Sequence, residues 1–557
     1  MELRSGSSIS ERIDIASEIF ERLKDLTDES ARRIKGNCTR DGKFLGERLD
    51  LFQNGCYELA FCEAEIAAAR ASLNFLNNGE EHVLRQEIVL MFCAETSKSV
   101  LNRFLSHGTD LGVLRSRAQA IYDDPQTLEL LDACYSARPV AHLGACIVEE
   151  GLTSFPSSLG EEKLMVRDTF SRFADDVVAP LAEEIHRKDT DIPEQIITAA
   201  ADLGCFGTCI PERFGGLQPD DHSDSLGMII VTEELSRGSL GAAGSLITRP
   251  EIAARALLAG GTGAQQQKWL PPLASGEMLC AISITEPNTG SDVAAVSLKA
   301  KPVDGGWLLN GSKTWCTFAG RSELIVVLAR TNPDASLGYK GLSMFLLEKP
   351  AYAGKEFKYQ QETGGTLTGK AIATLGYRGM HSYDLFFEDF FVPAENLVGE
   401  EDGEGKGFYY TMAGFSGGRL QTAARATGVM QAAFESALNY AQERQVFGKS
   451  VANFQLTQIK LARMLATITA CRQLSYEVAE SMDRGEGQME ASLVKLFACQ
   501  AAEWISREAM QIHGGMGYAE ESAVSRYFVD ARVLSIFEGT EEVLALKVIA
   551  RGLIEKA

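Results

Sequence analysis

The sequence predicts an α+β chain that is mainly helical, with one β domain set between helical regions. Three observations carry that reading. Apolar residues recur at helical spacing through residues 1–278 and again through 401–557. Between them, over 279–400, short apolar or alternating runs punctuated by Gly, Pro and Asn read as strands. At 557 residues the chain has room for three or four domains. The expected division is a helical extension over 1–150, a helical domain over 161–278, a β domain over 279–400 and a helical bundle over 401–557.

Composition narrows the partners. With 54 Lys and Arg against 76 Asp and Glu, the net charge of -22 argues against nucleic acid or an anionic membrane surface. Twelve cysteines without a CxxC pair and seven dispersed histidines offer no metal constellation, so no metal is expected. Reduced core thiols suit a cytoplasmic location. The N-terminus has neither the apolar stretch of a signal peptide nor the Arg-rich, acid-poor look of a transit peptide. No apolar run is long enough to span a bilayer.

In chain order, Ser8 and Glu11 have capping-box spacing ahead of Ile13, Ala16, Phe20, Leu23 and Leu26. Further helices are expected over 57–75, stopping at Asn77-Asn78-Gly79, over 81–105, and over 115–136 with an interruption at Pro125. This part carries no chemical motif and reads as packing material. Residues 151–160 (GLTSFPSSLG) have linker composition. In the next helical block Val166, Phe170, Phe173, Val177 and Leu181 share a face, and a later helix ends near Arg237. A run of small residues over 239–245 separates it from Arg249. In the β domain, Trp307-Leu308-Leu309 followed by Asn310-Gly311 predicts a strand and a hairpin turn. Periodic segments over 419–444, 453–482, 489–513 and 543–554 predict a four-helix bundle.

Four stretches carry candidate chemistry. The loop Thr285-Glu286-Pro287-Asn288-Thr289-Gly290-Ser291-Asp292 follows an apolar strand and offers N–H groups and hydroxyls to a phosphate or a flavin edge; it is equally a plain turn. Trp315-Cys316-Thr317 offers an indole for stacking on a planar cofactor, or a core tryptophan. In Glu443-Arg444-Gln445-Val446-Phe447-Gly448-Lys449 a helix is expected to end at Gly448 with basic groups that suit its dipole or a pyrophosphate. Gln511-Ile512-His513-Gly514-Gly515 reads as a helix end. A fifth stretch, Ser535-Ile536-Phe537-Glu538-Gly539-Thr540-Glu541-Glu542, sets a carboxylate between an apolar pair and a glycine. Ile536 and Phe537 are expected to dry Glu538, which strengthens a base, and Thr540 to cap the helix that follows. The alternative is an acidic helix start favoured by the dipole.

The order TEPNTGSD, WCT, RQVFGK, QIHGGMGY, IFEGTEE over residues 161–557 resembles the acyl-CoA dehydrogenase family. The resemblance implies a helical domain, a β domain and a helical bundle, FAD between the last two, and an acyl-CoA thioester as substrate. By resemblance, Ile284, Thr285, Gly290 and Ser291 hold the flavin and its phosphates, and Trp315 and Thr317 line its ring. Arg444, Phe447, Phe454, Gln455, Gln511 and Gly515 reach the FAD of a neighbouring subunit, and Thr540 and Glu542 are further FAD contacts. Glu538 falls on the family's catalytic base; some members carry the base just before the arginine matched by Arg419, but here that position is Gly418. The base removes the α-proton of the thioester while the β-hydrogen leaves as hydride to flavin N5, and an electron-transferring flavoprotein is the expected reoxidant. Ser291, Phe415, Arg419 and Gly539 are expected to line the substrate. Arg237 matches an arginine that dicarboxylate-specific members use for the distal carboxylate, and Arg249 lies in the same neighbourhood. Family members with an extension of this size imply a short, branched dicarboxylic substrate. The family is usually a tetramer, and residues 1–150 are expected to pack on the bundle where a second dimer would dock, which leaves a homodimer. Competing expectations are another short acyl-CoA (glutaryl, isobutyryl or butyryl), an oxidase, or a non-catalytic acyl-CoA-binding scaffold.

Overall fold

The computed structural model describes residues 7–77, 82–156 and 159–557. The chain forms two compact units, one of Met1–Leu164 with Thr422–Ala557 and one of Met165–Gln421.

In the first unit, the helix Ile9–Asn37 starts at a capping box, with Glu11 N donating to Ser8 Oγ at 3.2 Å, and buries Ala16, Phe20, Leu23 and Leu26. The helices Gln53–Leu76 and Val83–Leu111 follow. Asn78 and Gly79 of the expected stop, and the expected helix start at 81, lie outside the described residues. The single interrupted helix expected over 115–136 is two helices, Arg115–Tyr122 and Pro125–Cys134, with a third, Ala137–Glu150, after them. Pro125 lacks an N–H and sits in a first turn, where none is needed, behind the cap Asp124.

The bundle elements are the C-terminal part of Gly407–Glu443, then Gln455–Asp483, Glu490–His513 and Ala523–Leu534. The helix expected over 543–554 is present and runs without a break as Glu541–Val543, a wider π stretch Leu544–Ala550, and Arg551–Lys556. The wider turn carries Leu544, Ala545, Ile549 and Ala550 into the core together. The extension shares that core. Ala60, Phe61 and Ala64 pack with Leu493, Leu496, Leu544, Ala545 and Ile549. A Cβ on Gly144 would stand 2.0 Å from the Gln458 carbonyl oxygen, so only glycine lets Ala137–Glu150 lie this close to Gln455–Asp483.

The second unit opens with helices including Ala179–Lys188, Ser225–Gly238 and Thr248–Gly260. An eight-stranded sheet follows. Its path runs Cys280–Ser283, Leu324–Arg330, Lys299–Val303, Gly306–Thr317, Ser382–Pro393, Thr366–Ala371, Glu356–Gln360, with Leu342–Glu348 also pairing Leu324–Arg330. Leu309, Phe345, Leu385 and Phe390 are part of its core. The hairpin expected at Asn310-Gly311 is not there. The strand Gly306–Thr317 runs through those residues, and the turn lies ahead of that strand at Asp304-Gly305, where Gly305 takes φ +75°. Asn310 instead faces a bulge. The opposite strand shifts register between Phe387 and Phe390, Asn310 Nδ2 donates to Asp389 Oδ1 at 3.0 Å, and Asp389 N donates back to Asn310 Oδ1 at 2.9 Å.

Candidate active site

The first unit presents a carboxylate on a strained turn. The helix Ala523–Leu534 stops, and Glu538 and Gly539 follow at φ +55° and +101°. Left-handed backbone is unfavourable for a glutamate and persists only where its surroundings fix it. Lys495, itself buried, donates from Nζ to the Gly539 carbonyl at 2.6 Å. Glu541 N donates to Ser535 O at 3.2 Å across the turn. Thr540 caps the next helix as expected, its Oγ1 accepting from Val543 N at 3.4 Å.

The Glu538 side chain is 9% exposed and accepts from Thr422 Oγ1 at 2.8 Å and from Arg425 Nη2 at 2.7 Å. Arg425 is fully buried, donates also to Thr422 Oγ1 at 2.7 Å, and lies 4.7 Å from the Phe537 ring centre. This corrects the expected source of dryness. Ile536 is 48% exposed, and Phe537 packs over the guanidinium. The carboxylate is compensated by a buried cation rather than isolated among apolar groups. Arg425 was missed in the sequence reading. Its signal is a lone arginine in the small-residue stretch Ala423-Ala424-Arg425-Ala426-Thr427-Gly428, on a helix face otherwise built for close packing.

The second unit presents the hydroxyl-rich loop. Ile284 is buried, Thr285 half-buried, and Gly290 and Ser291 are exposed. What anchors the loop is a buried ion pair. Glu286 accepts from Ser297 N, from Leu298 N at 2.8 Å and from Lys313 Nζ at 3.0 Å, and Lys313 donates also to the Ile284 carbonyl at 2.7 Å. Burial pushes the Lys313 ammonium down to about 8, partly offset by Glu286. Burial also pushes the Glu286 carboxyl up, but the Lys313 charge and the Ser297 and Leu298 donors outweigh it and hold it below its ordinary value. Lys313, a lysine between Leu309 and Cys316 in a core strand, was the unread signal for this anchor.

Trp315 stands 55% exposed at φ +57°, while its neighbours Cys316 and Thr317 are buried. Thr317 Oγ1 is 2.9 Å from Ser382 Oγ. The left-handed residue leaves a large flat ring exposed between buried Thr314 and Cys316. Phe415 packs on Ile284, Leu328 and Leu342. Arg249 is buried and donates to Tyr377 Oη at 3.2 Å and Ser245 O at 3.4 Å. Asp175 at 2.8 Å, Glu234 at 2.8 Å and Ser171 Oγ at 2.9 Å surround the Arg237 guanidinium. Arg419 is half-buried and Gly418 buried.

A third group lies in the first unit. The expected helix stop at Gly448 is corrected: the helix ends at Glu443, and Gln445–Val446 pairs with Lys449–Ser450 in a small hairpin. Its two turn residues, Phe447 and Gly448, take φ +49° and +81°, the geometry that lets a two-residue hairpin match strand twist. Phe447 is 97% exposed, and Arg444, Gln455, Gln511 and Gly515 are exposed too. Phe454 is half-buried under the Lys449 ammonium, 4.2 Å from its ring centre. Glu542 is exposed and Thr540 half-buried. His513 bonds the Ala509 carbonyl at 2.8 Å and stacks on Tyr440, and burial lowers its pKa, so its part is structural.

These donor sets suit a flavin dinucleotide. An outward indole beside a hydroxyl and a loop of N–H and hydroxyl groups suits a planar heterocycle, and an exposed arginine with an aromatic suits a pyrophosphate. Among the described residues no cluster of three or more His, Cys, Asp or Glu could hold a metal. No helix among them is long and apolar enough to cross a membrane. All twelve cysteines are free thiols, buried except for Cys146.

Family models place the chain. The acyl-CoA dehydrogenase N-terminal domain matches residues 160–277, the middle domain 281–390 and the C-terminal domain 405–554. The chain belongs to the acyl-CoA dehydrogenase family, whose members are FAD-dependent oxidoreductases. Among curated relatives it is similar to a (2S)-methylsuccinyl-CoA dehydrogenase of Cereibacter sphaeroides, 46% identical over 401 residues, covering 72% of this chain and 71% of that one. Among solved structures it resembles butyryl-CoA dehydrogenase from Megasphaera elsdenii, with TM-score 0.64 and 34% identity over 71% of this chain and 98% of that one. It also resembles a glutaryl-coenzyme A dehydrogenase–glutaryl-CoA complex, with TM-score 0.63 and 30% identity over 70% and 94% of the two chains.

Proposed function

We propose that this chain oxidises (2S)-methylsuccinyl-CoA to mesaconyl-CoA by α,β-dehydrogenation, with Glu538 as the base that takes the α-proton. The observation that carries the reading is the direct contact between the Glu538 carboxylate and the buried Arg425 guanidinium. A thioester acidifies its α-carbon by accepting enolate charge, and a fixed carboxylate beside that carbon completes the abstraction. The N–H of Glu538 itself is suited to the thioester oxygen as charge develops there.

The guanidinium points to the acyl group. In a four-carbon dicarboxylic thioester the distal carboxylate is only two carbons from the α-carbon. A cation in contact with the base is therefore within reach of that carboxylate. Its arrival gives Arg425 a second carboxylate, and Glu538 is then released toward the α-hydrogen. A longer diacid would carry its charge past this point, and a monoacyl group would leave the Arg425–Glu538 pair intact. Arg237 and Arg249 are carried over as further cations suited to the distal carboxylate; Arg237 is held ready by Glu234 on its own helix and Asp175 on an earlier one, and Arg249 by Tyr377. Phe415, Arg419, Ser291 and Gly539 are carried over as substrate-lining residues.

FAD, when bound along Ile284, Thr285, Gly290, Ser291, Trp315 and Thr317, supplies the acceptor for the β-hydrogen and is reoxidised by an electron-transferring flavoprotein. Arg444, Phe447, Phe454, Gln455, Gln511 and Gly515 would hold its far end from a second copy, with Thr540 and Glu542 as further contacts. The exposure of Phe447 and Arg444 supports that role. The test is a panel of methylsuccinyl-, succinyl-, glutaryl-, isobutyryl- and butyryl-CoA with a dye acceptor. Methylsuccinyl-CoA is expected to give the highest kcat/KM, and a preference for butyryl-CoA would overturn the dicarboxylate reading.

A further inference from the structure

The turn that carries Glu538 is gripped by the N-terminal extension. Glu541, three positions past the base, accepts from the Tyr57 hydroxyl on one carboxylate oxygen and from Gln500 Nε2 at 3.0 Å on the other. Tyr57 belongs to the helix Gln53–Leu76, and its ring leans on Phe61 with centres 4.8 Å apart. From that same helix Ala60, Phe61 and Ala64 cover Leu544, Ala545 and Ile549. Asp50 pairs with Lys547 at 2.7 Å, and Lys35 Nζ donates to the Glu555 carbonyl at 3.0 Å. The segment that follows the base is thus fixed along its length by residues 35–64.

The backbone makes this placement matter. Glu538 and Gly539 sit in left-handed conformations, which are strained for a non-glycine residue and persist only where the surroundings hold the turn. The upstream end is tied through Ser535, whose hydroxyl donates to Glu503 and whose carbonyl accepts from Glu541 N. The middle is tied by Lys495. The downstream end is Glu541, the first residue of the helix that Thr540 caps. Fixing its side chain fixes the cap, and through Thr540 and Gly539 it fixes the direction of the Glu538 carboxylate.

We propose that Tyr57 is a positioning residue for the catalytic base, acting through Glu541, so that the extension is part of the catalytic apparatus as well as of the core. This rests on the reading of Glu538 as the base. The experiment compares Tyr57→Phe, Glu541→Ala, Glu541→Gln and Glu538→Gln in the full-length flavoprotein. It uses the thioester of the panel that the wild type turns over fastest. Tyr57→Phe keeps the ring and loses only the hydroxyl. It is expected to lower kcat about tenfold with KM nearly unchanged and FAD content intact, the scale of loss from a small misplacement. Amide hydrogen exchange over 539–541 should quicken about tenfold. Glu541→Ala should reproduce both effects with no further loss in the double variant, and Glu541→Gln, which keeps an acceptor for the hydroxyl, should restore most of kcat. Unchanged kcat and exchange in Tyr57→Phe would overturn the proposal, as would a loss that tracks thermal stability or FAD content alone. If Glu538→Gln keeps its turnover, the base reading itself fails; if it is silent while Tyr57→Phe is normal, only the positioning role fails.

Discussion

At the scale of the residue, the informative contact is one cation against one carboxylate. Breaking a buried pair leaves the surviving charge without compensation. Replacing Arg425 by Met is therefore expected to destabilise the first unit by about 3–5 kcal/mol in urea unfolding. The ratio of kcat/KM for methylsuccinyl-CoA over butyryl-CoA should collapse. A variant that unfolds normally and keeps that ratio would show that Arg425 touches neither the base nor the substrate in function. Glu538 stood out in the sequence only through the family resemblance, because its stretch alone reads as an acidic helix start. Its partner did not, because the 113 positions between Arg425 and Glu538 are closed only by the fold.

At the scale of the element, the loop 189–191 is tied to the strand Ser382–Pro393 by way of His381. Both ring nitrogens meet carboxylates, Asp191 at 2.9 Å and Asp189 at 3.0 Å, and Lys355 bonds Asp189 from the other side. Burial pushes the imidazole down, but the two carboxylates outweigh it, and its pKa is raised. Asp189 and Asp191 are lowered, with the His381 bonds opposing their burial and Lys355 adding to them. A raised histidine stabilises fully below its unfolded pKa, about 6.5, and that contribution is lost as pH rises through the raised folded value. The lowered aspartates stabilise above about 3.9 and lose that contribution as pH falls through their depressed values. Thermal unfolding of the wild type against His381→Asn should therefore show the largest difference near pH 6, narrowing toward pH 9. A difference that grows with pH would contradict the clamp. None of this was visible in the sequence, where His381 is one of seven scattered histidines. The helices were legible from period and caps, as at Ser8. The errors fell where tertiary pairing overrode a local signal: Asn310-Gly311 has hairpin chemistry, but the partner strand bulges opposite it, and Gly448 turns a hairpin rather than ending a helix.

At the scale of the whole molecule, the extension is the feature that composition alone left without a task. It shares a core with the bundle, and the close approach of Gly144 to the Gln458 backbone requires a glycine in the extension. We propose that this occupies the bundle face on which a second dimer would dock, which leaves a homodimer. Light scattering on the full-length flavoprotein should give the mass of two chains, and a tetramer would contradict it. The order of helical and β regions was readable from hydropathy, and the expected packing of residues 1–150 on the bundle is met in their shared core, while the particular faces that meet were not readable, because no local pattern encodes which distant face a helix covers. The chemistry of the assembled protein is tested most directly at position 538. Under anaerobic conditions, Glu538→Gln mixed with methylsuccinyl-CoA should keep its yellow flavin, with the rate of bleaching down by about 10²–10⁴-fold and FAD still bound. Bleaching at a near wild-type rate in that variant would contradict the account.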